Sequence, residues 1–228
     1  KISHVAIRTR VLRFGSLMEK YAKDLTPKTS GTWNADETMV LTKRGIDNKH
    51  KSAEFDYVWN VIDNESKFLL ASISSGRKRG IKDAQRVMKE AWQQNKDKPE
   101  QIITDKFPSY REGIRKTFRN YGYSRAVKHI SIVGRRKEIN NNAIENHNSH
   151  QKEFHKIRRG VTETQAYQDG FKVYHNFIRK NVEDKTTPAD KCGIGIKEDN
   201  RWNAMLLKSI KYKKATSLTD EEQMEKSH

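Results

Sequence analysis

Three consecutive segments of the chain alternate apolar and polar side chains every two residues, which is typical of β-strands. They run from Thr32 to Lys43, from Ala53 to Ile62 and from Phe68 to Ser74, and short polar turns separate them. Strands joined by such short connections pair antiparallel. We therefore expect the domain to begin with a three-stranded antiparallel meander.

The following segments alternate between helical and strand-like patterns. Apolar residues recur at helical spacing from Ile81 to Gln94, and the run Gln101 to Thr104 then predicts a short strand that ends at Asp105. A strand, helix, strand connection places that strand parallel to an earlier one. Helices and a final strand are predicted beyond it, at 110–120 (helix), 124–133 (strand), 140–159 (helix) and 163–179 (helix). This order predicts an α/β fold of the ribonuclease-H-like type, a mixed five-stranded sheet flanked by helices.

The composition favours an anionic partner. With 228 residues the chain can form one main domain, and 46 Lys plus Arg against 29 Asp plus Glu give a net charge of +17. A basic protein without specificity, or one that lies on anionic lipid, has the same charge. The single Cys192 excludes an internal disulfide, and no apolar run approaches the roughly 18 residues needed to span a bilayer. We expect a protein of the cytoplasm, associated with the nucleoid and with no membrane partner.

Three acidic residues stand at positions where a metal site can form. Asp36 lies on the first strand, Asp105 follows the strand expected to be its parallel neighbour, and Glu145 lies near the start of the helix predicted at 140–159. Carboxylates at adjacent strand ends can converge at one sheet edge, and Mg²⁺ prefers oxygen ligands. Three carboxylates can hold a pair of Mg²⁺ ions, with Mn²⁺ as the alternative, for in-line phosphoryl transfer.

Other residues compete for these roles. Asp56, Asp63 and Glu37 are rival carboxylates, although strand alternation predicts that Glu37 faces away from Asp36 and lies outside the metal site. Histidines of the glutamate helix suggest zinc, but without a cysteine pair we reject that interpretation; they are His147, His150 and His155.

Four ordered motifs together resemble the DDE transposases of prokaryotic insertion sequences, which share an integrase-like catalytic core. They begin at Trp33 (WNADET), Ile103 (ITDKFPSY), Asn141 (NNAIENH) and Asn176 (NFIR), the last leading to KTTPA at 185–189. The resemblance covers about 32–194. It implies that Asp36, Asp105 and Glu145 are the catalytic triad of Mg²⁺-dependent DNA cleavage and strand transfer at mobile-element ends.

The same resemblance implies further partners and contacts. The partners are DNA, at the element ends and at the target, and further copies of the chain in a homo-oligomer, with no small-molecule substrate. Lys152, seven residues after Glu145 and on the same helix face, would contact substrate DNA. Basic clusters near the proposed cleft predict a groove that follows phosphates: Arg135, Arg136, Lys156, Arg158 and Arg159.

The resemblance divides the chain into three parts. Residues 1–31 would be the last helix of a helix-turn-helix, capped by Ser3, and a linker; 32–194 would be the catalytic core; and 195–228 would be a C-terminal extension. The first residue is Lys, so we expect a fragment of a longer chain. Two alternatives remain open at this stage, a nuclease of this fold that only hydrolyses and an inactive domesticated DNA-binding protein.

Overall fold

The computed structural model of the protein describes residues 2–42, 54–119, 126–132, 141–156, 158 and 160–225, and side chains of the last helix as far as residue 217. Within these ranges the elements are α1 (His4–Asp24), β1 (Thr32–Thr42), β2 (Glu54–Asp63), β3 (Leu69–Gly76), α2 (Ile81–Asn95), β4 (Gln101–Thr104), α3 (Pro108–Thr117), β5 (Lys128–Ser131), α4 (Asn142–Lys156), α5 (Thr164–Val173), α6 (Pro188–Lys191) and α7 (Arg201–Glu225). A π-helical turn, Tyr174–Ile178, continues α5.

The strands form one mixed sheet in the order β3-β2-β1-β4-β5. The meander β1-β2-β3 is antiparallel, whereas β4 lies parallel to both β1 and β5. The predicted five-stranded mixed sheet and its crossover are therefore confirmed. Strand β5 is shorter than the predicted 124–133, because β4 offers it only four residues to pair with; positions 124, 125 and 133 lie outside the described residues.

The two faces of the sheet differ in polarity, because alternate residues of each strand point to opposite sides. One face carries the large apolar core, in which Trp33 and Ala35 of β1 and Trp59 of β2 join apolar side chains of α2 and α3. On the opposite face Asn34 meets the amide of Asn141, just before α4, and Asp36 and Asn60 meet the amide of Asn148 within α4. The helix that carries Glu145 is therefore attached to the sheet by hydrogen bonds as well as by Ile144, which packs in an apolar cluster with Ile62 and Leu69.

Helix α1 packs against α5. Ser3 caps the helix as predicted, since the Ala6 amide donates to its Oγ at 3.2 Å. A Cβ atom on Gly15 would lie 3.1 Å from the Gly170 Cα, so the two glycines permit a close crossing of α1 and α5. A buried ion pair also joins them, with 2.9 Å between Lys172 Nζ and Glu19 Oε1.

Two further helices lie towards the C-terminal side of the chain. Residues 188–191 form α6, which Thr187 caps, and 201–225 form the long helix α7 within the predicted C-terminal extension. Helix α7 packs into the main apolar core through Met205. The ring centroid of its Tyr212 lies 5.8 Å from the ring centroid of Tyr21 in α1. The helix-turn-helix role of α1 stays a prediction. No helix among the described residues combines the length and apolarity of a membrane span.

Candidate active site

The register of β1 and β4 brings two aspartates side by side. The last parallel pair is Ala35 with Thr104, so Asp36 and Asp105 are the next residue on each strand. Open α/β sheets bind their ligands at the carboxyl ends of parallel strands. The predicted meeting of these two carboxylates at one edge is therefore what the fold produces.

Asp105 is fixed by the turn that ends β4. Its Oδ1 accepts a hydrogen bond from the Phe107 amide at 2.9 Å, an Asx turn that leads into Pro108 at the start of α3. Its backbone carbonyl accepts from the hydroxyls of Thr104 (2.7 Å) and Ser131 (3.1 Å). Both neighbouring strands thus hold the loop on which Asp105 lies.

Asp36 is oriented by the glutamate helix. Asn148 Nδ2 of α4 donates to Asp36 Oδ2 at 2.8 Å, and Asn148 Oδ1 accepts from Asn60 Nδ2 at 2.9 Å. Burial, followed by the neighbouring Glu37 and Asp105 carboxylates, raises the pKa of Asp36 from 3.8 to about 7. A carboxyl with this pKa binds a proton at neutral pH unless another cation neutralises the site.

The position of Glu37 corrects the sequence analysis. Oxygens of Asp36, Glu37 and Asp105 all lie within 4.8 Å of one another, so the prediction that Glu37 lies outside the site is wrong. Alternation does send Glu37 to the other face, where Tyr110 contacts it. However, β4 ends at Thr104, so no strand backbone covers this side of β1 beyond Ala35. Side chains from both faces of β1 can therefore reach the space beyond the end of β4.

Glu37 is held by two residues from outside β1. The Tyr110 hydroxyl donates to Oε2 at 2.9 Å, and Arg79 Nη1 lies 2.5 Å from Oε1. Arg79 is itself positioned by aromatic rings, with its guanidinium carbon 4.2 Å from the centroid of the Phe107 ring. Burial raises the pKa of Glu37 despite these donors.

Glu145 lies near this group but does not belong to it in the structure. It is exposed on α4, between two asparagines that hydrogen-bond to β1: Asn141, the residue before α4, accepts from Asn34 at 3.1 Å, and Asn148 of α4 donates to Asp36. Its carboxylate is not within 4.8 Å of both aspartates, and Asp36, Glu37 and Asp105 are the one such acidic group among the described residues. Helix α4 therefore lies against β1, whereas the side chain of Glu145 extends into solvent.

The rival aspartates have structural partners instead. Asp63 is fully buried and accepts four hydrogen bonds, from the backbone and hydroxyl of Ser30 and of Ser66 at 2.7–2.9 Å. Asp56 is buried and accepts from the Thr164 hydroxyl at 2.5 Å. Both carboxylates stabilise loops and helix starts, so neither lies in the candidate site.

The predicted DNA contacts differ in exposure. Lys152 is exposed on α4, and exposed Lys156 lies 3.7 Å from Glu153. Arg158 is partly buried, with its guanidinium 3.9 Å from the centre of the Phe154 ring. The remaining predicted contacts, Arg135, Arg136 and Arg159, lie outside the described residues.

Three residues of the site were not found from the sequence: Asn148, Tyr110 and Arg79. Asn148 follows Glu145 by three positions, and that spacing on one helix face was an available signal. Arg79 stands in the run Arg77-Lys78-Arg79, which the sequence offers only as positive charge, and Tyr110 is the last residue of the ITDKFPSY motif.

Sheet order and acidic site together define a class, the ribonuclease-H-like domains with a carboxylate centre where the end of β4 meets the middle of β1. Residues 30–181 match the family described as a DDE domain, of IS240-type transposases. The match covers more than half of the chain, which therefore belongs to this DDE transposase family.

A structural likeness was also found. A chain in the cryo-EM structure of the simian T-cell lymphotropic virus intasome in complex with PP2A regulatory subunit B56 gamma aligns with a TM-score of 0.48 and 13% identity. The alignment covers 72% of this chain and 54% of that chain, so the protein spans about half the length of its structural relative. A search of curated proteins found no match.

Proposed function

We propose that the protein is a DNA transposase that cleaves DNA at mobile-element ends and joins the exposed 3′-hydroxyl to target DNA, with Asp36, Asp105 and Glu145 as its catalytic triad. The observation that carries the proposal is the group of carboxylates where the end of β4 meets the middle of β1, in a chain of the DDE family. Phosphoryl transfer of this kind needs no side-chain nucleophile.

The residues of the site fit divalent metal ions. Asp36 and Asp105 offer hard oxygen ligands in a partly buried setting, and burial, together with the neighbouring carboxylates of Glu37 and Asp105, raises the pKa of Asp36. Two Mg²⁺ ions, or Mn²⁺ in their place, would supply the polarised phosphate and the activated water or 3′-hydroxyl when bound. Glu145 would complete the ligand set from α4, since exposed side chains change rotamer on the picosecond to nanosecond scale.

Other residues of the chain would orient this set. Asn148 fixes one oxygen of Asp36, and the Phe107 amide fixes one oxygen of Asp105, so each aspartate keeps its second oxygen for a ligand. Tyr110 and Arg79 hold Glu37 beside them. Lys152, exposed two turns after Glu145, would bind a DNA phosphate next to the reacting one.

The wider assignment follows from this chemistry. The partners would be element-end and target DNA, bound by a surface with net charge +17, and a homo-oligomer would hold two ends together. Residues 1–31 would assist DNA recognition, 32–194 catalyse, and 195–228 extend the core through α7. Such a protein would act in the cytoplasm, on the nucleoid.

The test is a strand-transfer assay with a pre-cut DNA end, a plasmid target and Mg²⁺. We expect joined product from the wild type and background levels from Asp36→Asn, Asp105→Asn and Glu145→Gln. Glu153→Gln is the matched control, because Glu153 is an exposed glutamate of the same helix. Binding of DNA should survive all four changes, since phosphate contacts supply most of the affinity.

Each contrary outcome has a separate meaning. Hydrolysis without joining would identify a nuclease, and DNA binding without metal-dependent cleavage would identify an inactive binder. If Glu145→Gln kept full activity while Glu37→Gln lost it, the third acidic role would pass to Glu37, whose carboxylate lies within the group.

A further inference from the structure

A polar cavity lies along the flank of α4 that is opposite its contacts with β1. It measures about 330 Å³, within the size range of small-ligand sites, and extends between α4, the π-helical turn and the residues before α6. Ala143, Asn146, His147 and His150 line it from α4, whereas Asn141 and Asn148 of the opposite flank bond to β1. A helix with its side chains is about 10–12 Å across, so the cavity lies about one helix width from the carboxylate site.

The inner wall of the cavity carries histidines without hydrogen-bond partners. His147 is 3% exposed, and neither of its ring nitrogens has a partner among the described residues. His175 is 6% exposed and bonds through Nε2 to the Lys67 carbonyl at 2.9 Å. A carbonyl only accepts, so Nε2 carries the hydrogen and Nδ1, which has no partner within the described part of the chain, is an acceptor.

These nitrogens are closed off from solvent as the side chains stand, so a ligand with its own donors and acceptors would reach them when the rings turn into the cavity. Leaving a buried polar group unpaired is costly, so native proteins rarely do so without a reason. Burial lowers the pKa of His175 to about 4, so the ring is neutral at pH 7. Neutral rings that both donate and accept suit the edge of a nucleobase better than they suit an anion.

The outer wall of the cavity is cationic. Lys67, Arg179, Lys180 and Lys191 line it, against the single acidic lining residue Glu183. Arg179 lies 3.0 Å from His150, which must accept this bond because a guanidinium only donates. Lys191 is already paired with Asp184, so Lys67, Arg179 and Lys180 are the cations best placed for a phosphate. Base-compatible groups inside and cations outside match the two ends of a nucleotide.

We propose that this cavity takes up one unpaired nucleotide of the DNA substrate, with its base against His147 and His175 and its phosphate at Lys67 and Arg179. The inference rests on the proposed function, because it takes DNA as the ligand. A strand that passes the start of α4 would then contact both flanks of the helix. An unpaired nucleotide avoids the cost of extracting a base from a duplex, so DNA ends with a single-stranded overhang should bind best.

The first test needs no activity and no metal. Imidazole ¹H–¹⁵N spectra of the Asp105→Asn protein are recorded in chelator while thymidine 5′-monophosphate, thymidine or inorganic phosphate is added. We expect the nucleotide to shift the His147 and His175 signals, and phosphate alone to leave them in place. Equal shifts with phosphate would reduce the cavity to an anion site and overturn the proposal, as would no shift with any of the three.

The second test uses DNA. His147→Phe keeps the ring that packs against Phe171 and removes both nitrogens. We expect it to weaken binding of an end with an overhang about tenfold, which corresponds to two neutral hydrogen bonds, and to leave blunt-end binding unchanged. His155→Phe is the matched control, a buried histidine of the same helix that does not line the cavity. An unchanged overhang preference in folded His147→Phe would overturn the proposal.

The two proposals fail independently of each other. Both binding tests work with the Asp105→Asn protein, so loss of strand transfer does not affect them. If His147→Phe proves unfolded by circular dichroism, the spectra of the Asp105→Asn protein still decide whether the cavity binds the nucleotide.

Discussion

Replacing Asp36 by asparagine should stabilise the metal-free protein at neutral and higher pH. Burial, and then the carboxylates of Glu37 and Asp105, make the charged form of Asp36 unfavourable in the folded state. Asparagine removes that charge but keeps an oxygen that accepts the Asn148 hydrogen bond. The change therefore relieves repulsion without breaking the contact between β1 and α4.

The sign and size of the effect follow from the pKa of Asp36, which rises from 3.8 in the unfolded chain to about 7 in the folded one. The folded state binds the proton more tightly, so the free energy of unfolding falls as pH rises from about 4 to about 7 and stays low above that range. A pKa shift of about three units changes the free energy of unfolding by at most ~4 kcal/mol. We expect the free energy of unfolding of Asp36→Asn to exceed that of the wild type by ~2–4 kcal/mol at pH 8 and to equal it near pH 3.

Urea unfolding in chelator at both pH values measures this difference. Asp199→Asn, at an exposed position before α7, is the control for replacing an acid by its amide. Added Mn²⁺ should reverse the order, because a cation that binds only the folded wild type stabilises it and neutralises the same repulsion. The reasoning is refuted if the wild type and Asp36→Asn unfold at the same urea concentration at pH 8 without metal.

Much of the fold could be predicted because hydrophobic periodicity determines it locally. Alternation in β1, β2 and β3 specifies strands, and the short connections leave an antiparallel meander as the simple arrangement. The crossover through α2 then places β4 beside β1, and their register brings Asp36 next to Asp105. Both aspartates could therefore be assigned to one sheet edge before any side-chain position was known.

The remaining features depend on where neighbouring elements end. Glu37 enters the site because β4 stops one residue short of Asp105, and alternation along β1 alone contains no information on the length of its partner. The polar contacts between α4 and the sheet could not be predicted from the sequence either. Asn148 and Gln151, which make these contacts, belong to a helix with few apolar side chains, and sequence patterns weight apolar positions.

Two further changes test how the helices are attached. Asn148→Ala removes a donor to Asp36 and an acceptor from Asn60, so we expect a loss of ~2–3 kcal/mol in urea unfolding and, as for partners of metal ligands, a 10–100-fold loss of strand transfer. Lys172→Met leaves the buried Glu19 without its main counter-charge, because the other nearby cation, Lys23, lies 3.9 Å away and is largely exposed. Breaking such a pair costs ~3–5 kcal/mol, whereas replacing both partners by uncharged residues of similar volume is often neutral. Thermal unfolding of Lys172→Met, of Glu19→Gln and of the double variant should therefore show recovery in the double variant. If the double variant is as unstable as Lys172→Met, the buried charge on Glu19 is not the cause of the loss, and the contact between α1 and α5 depends on the lysine itself.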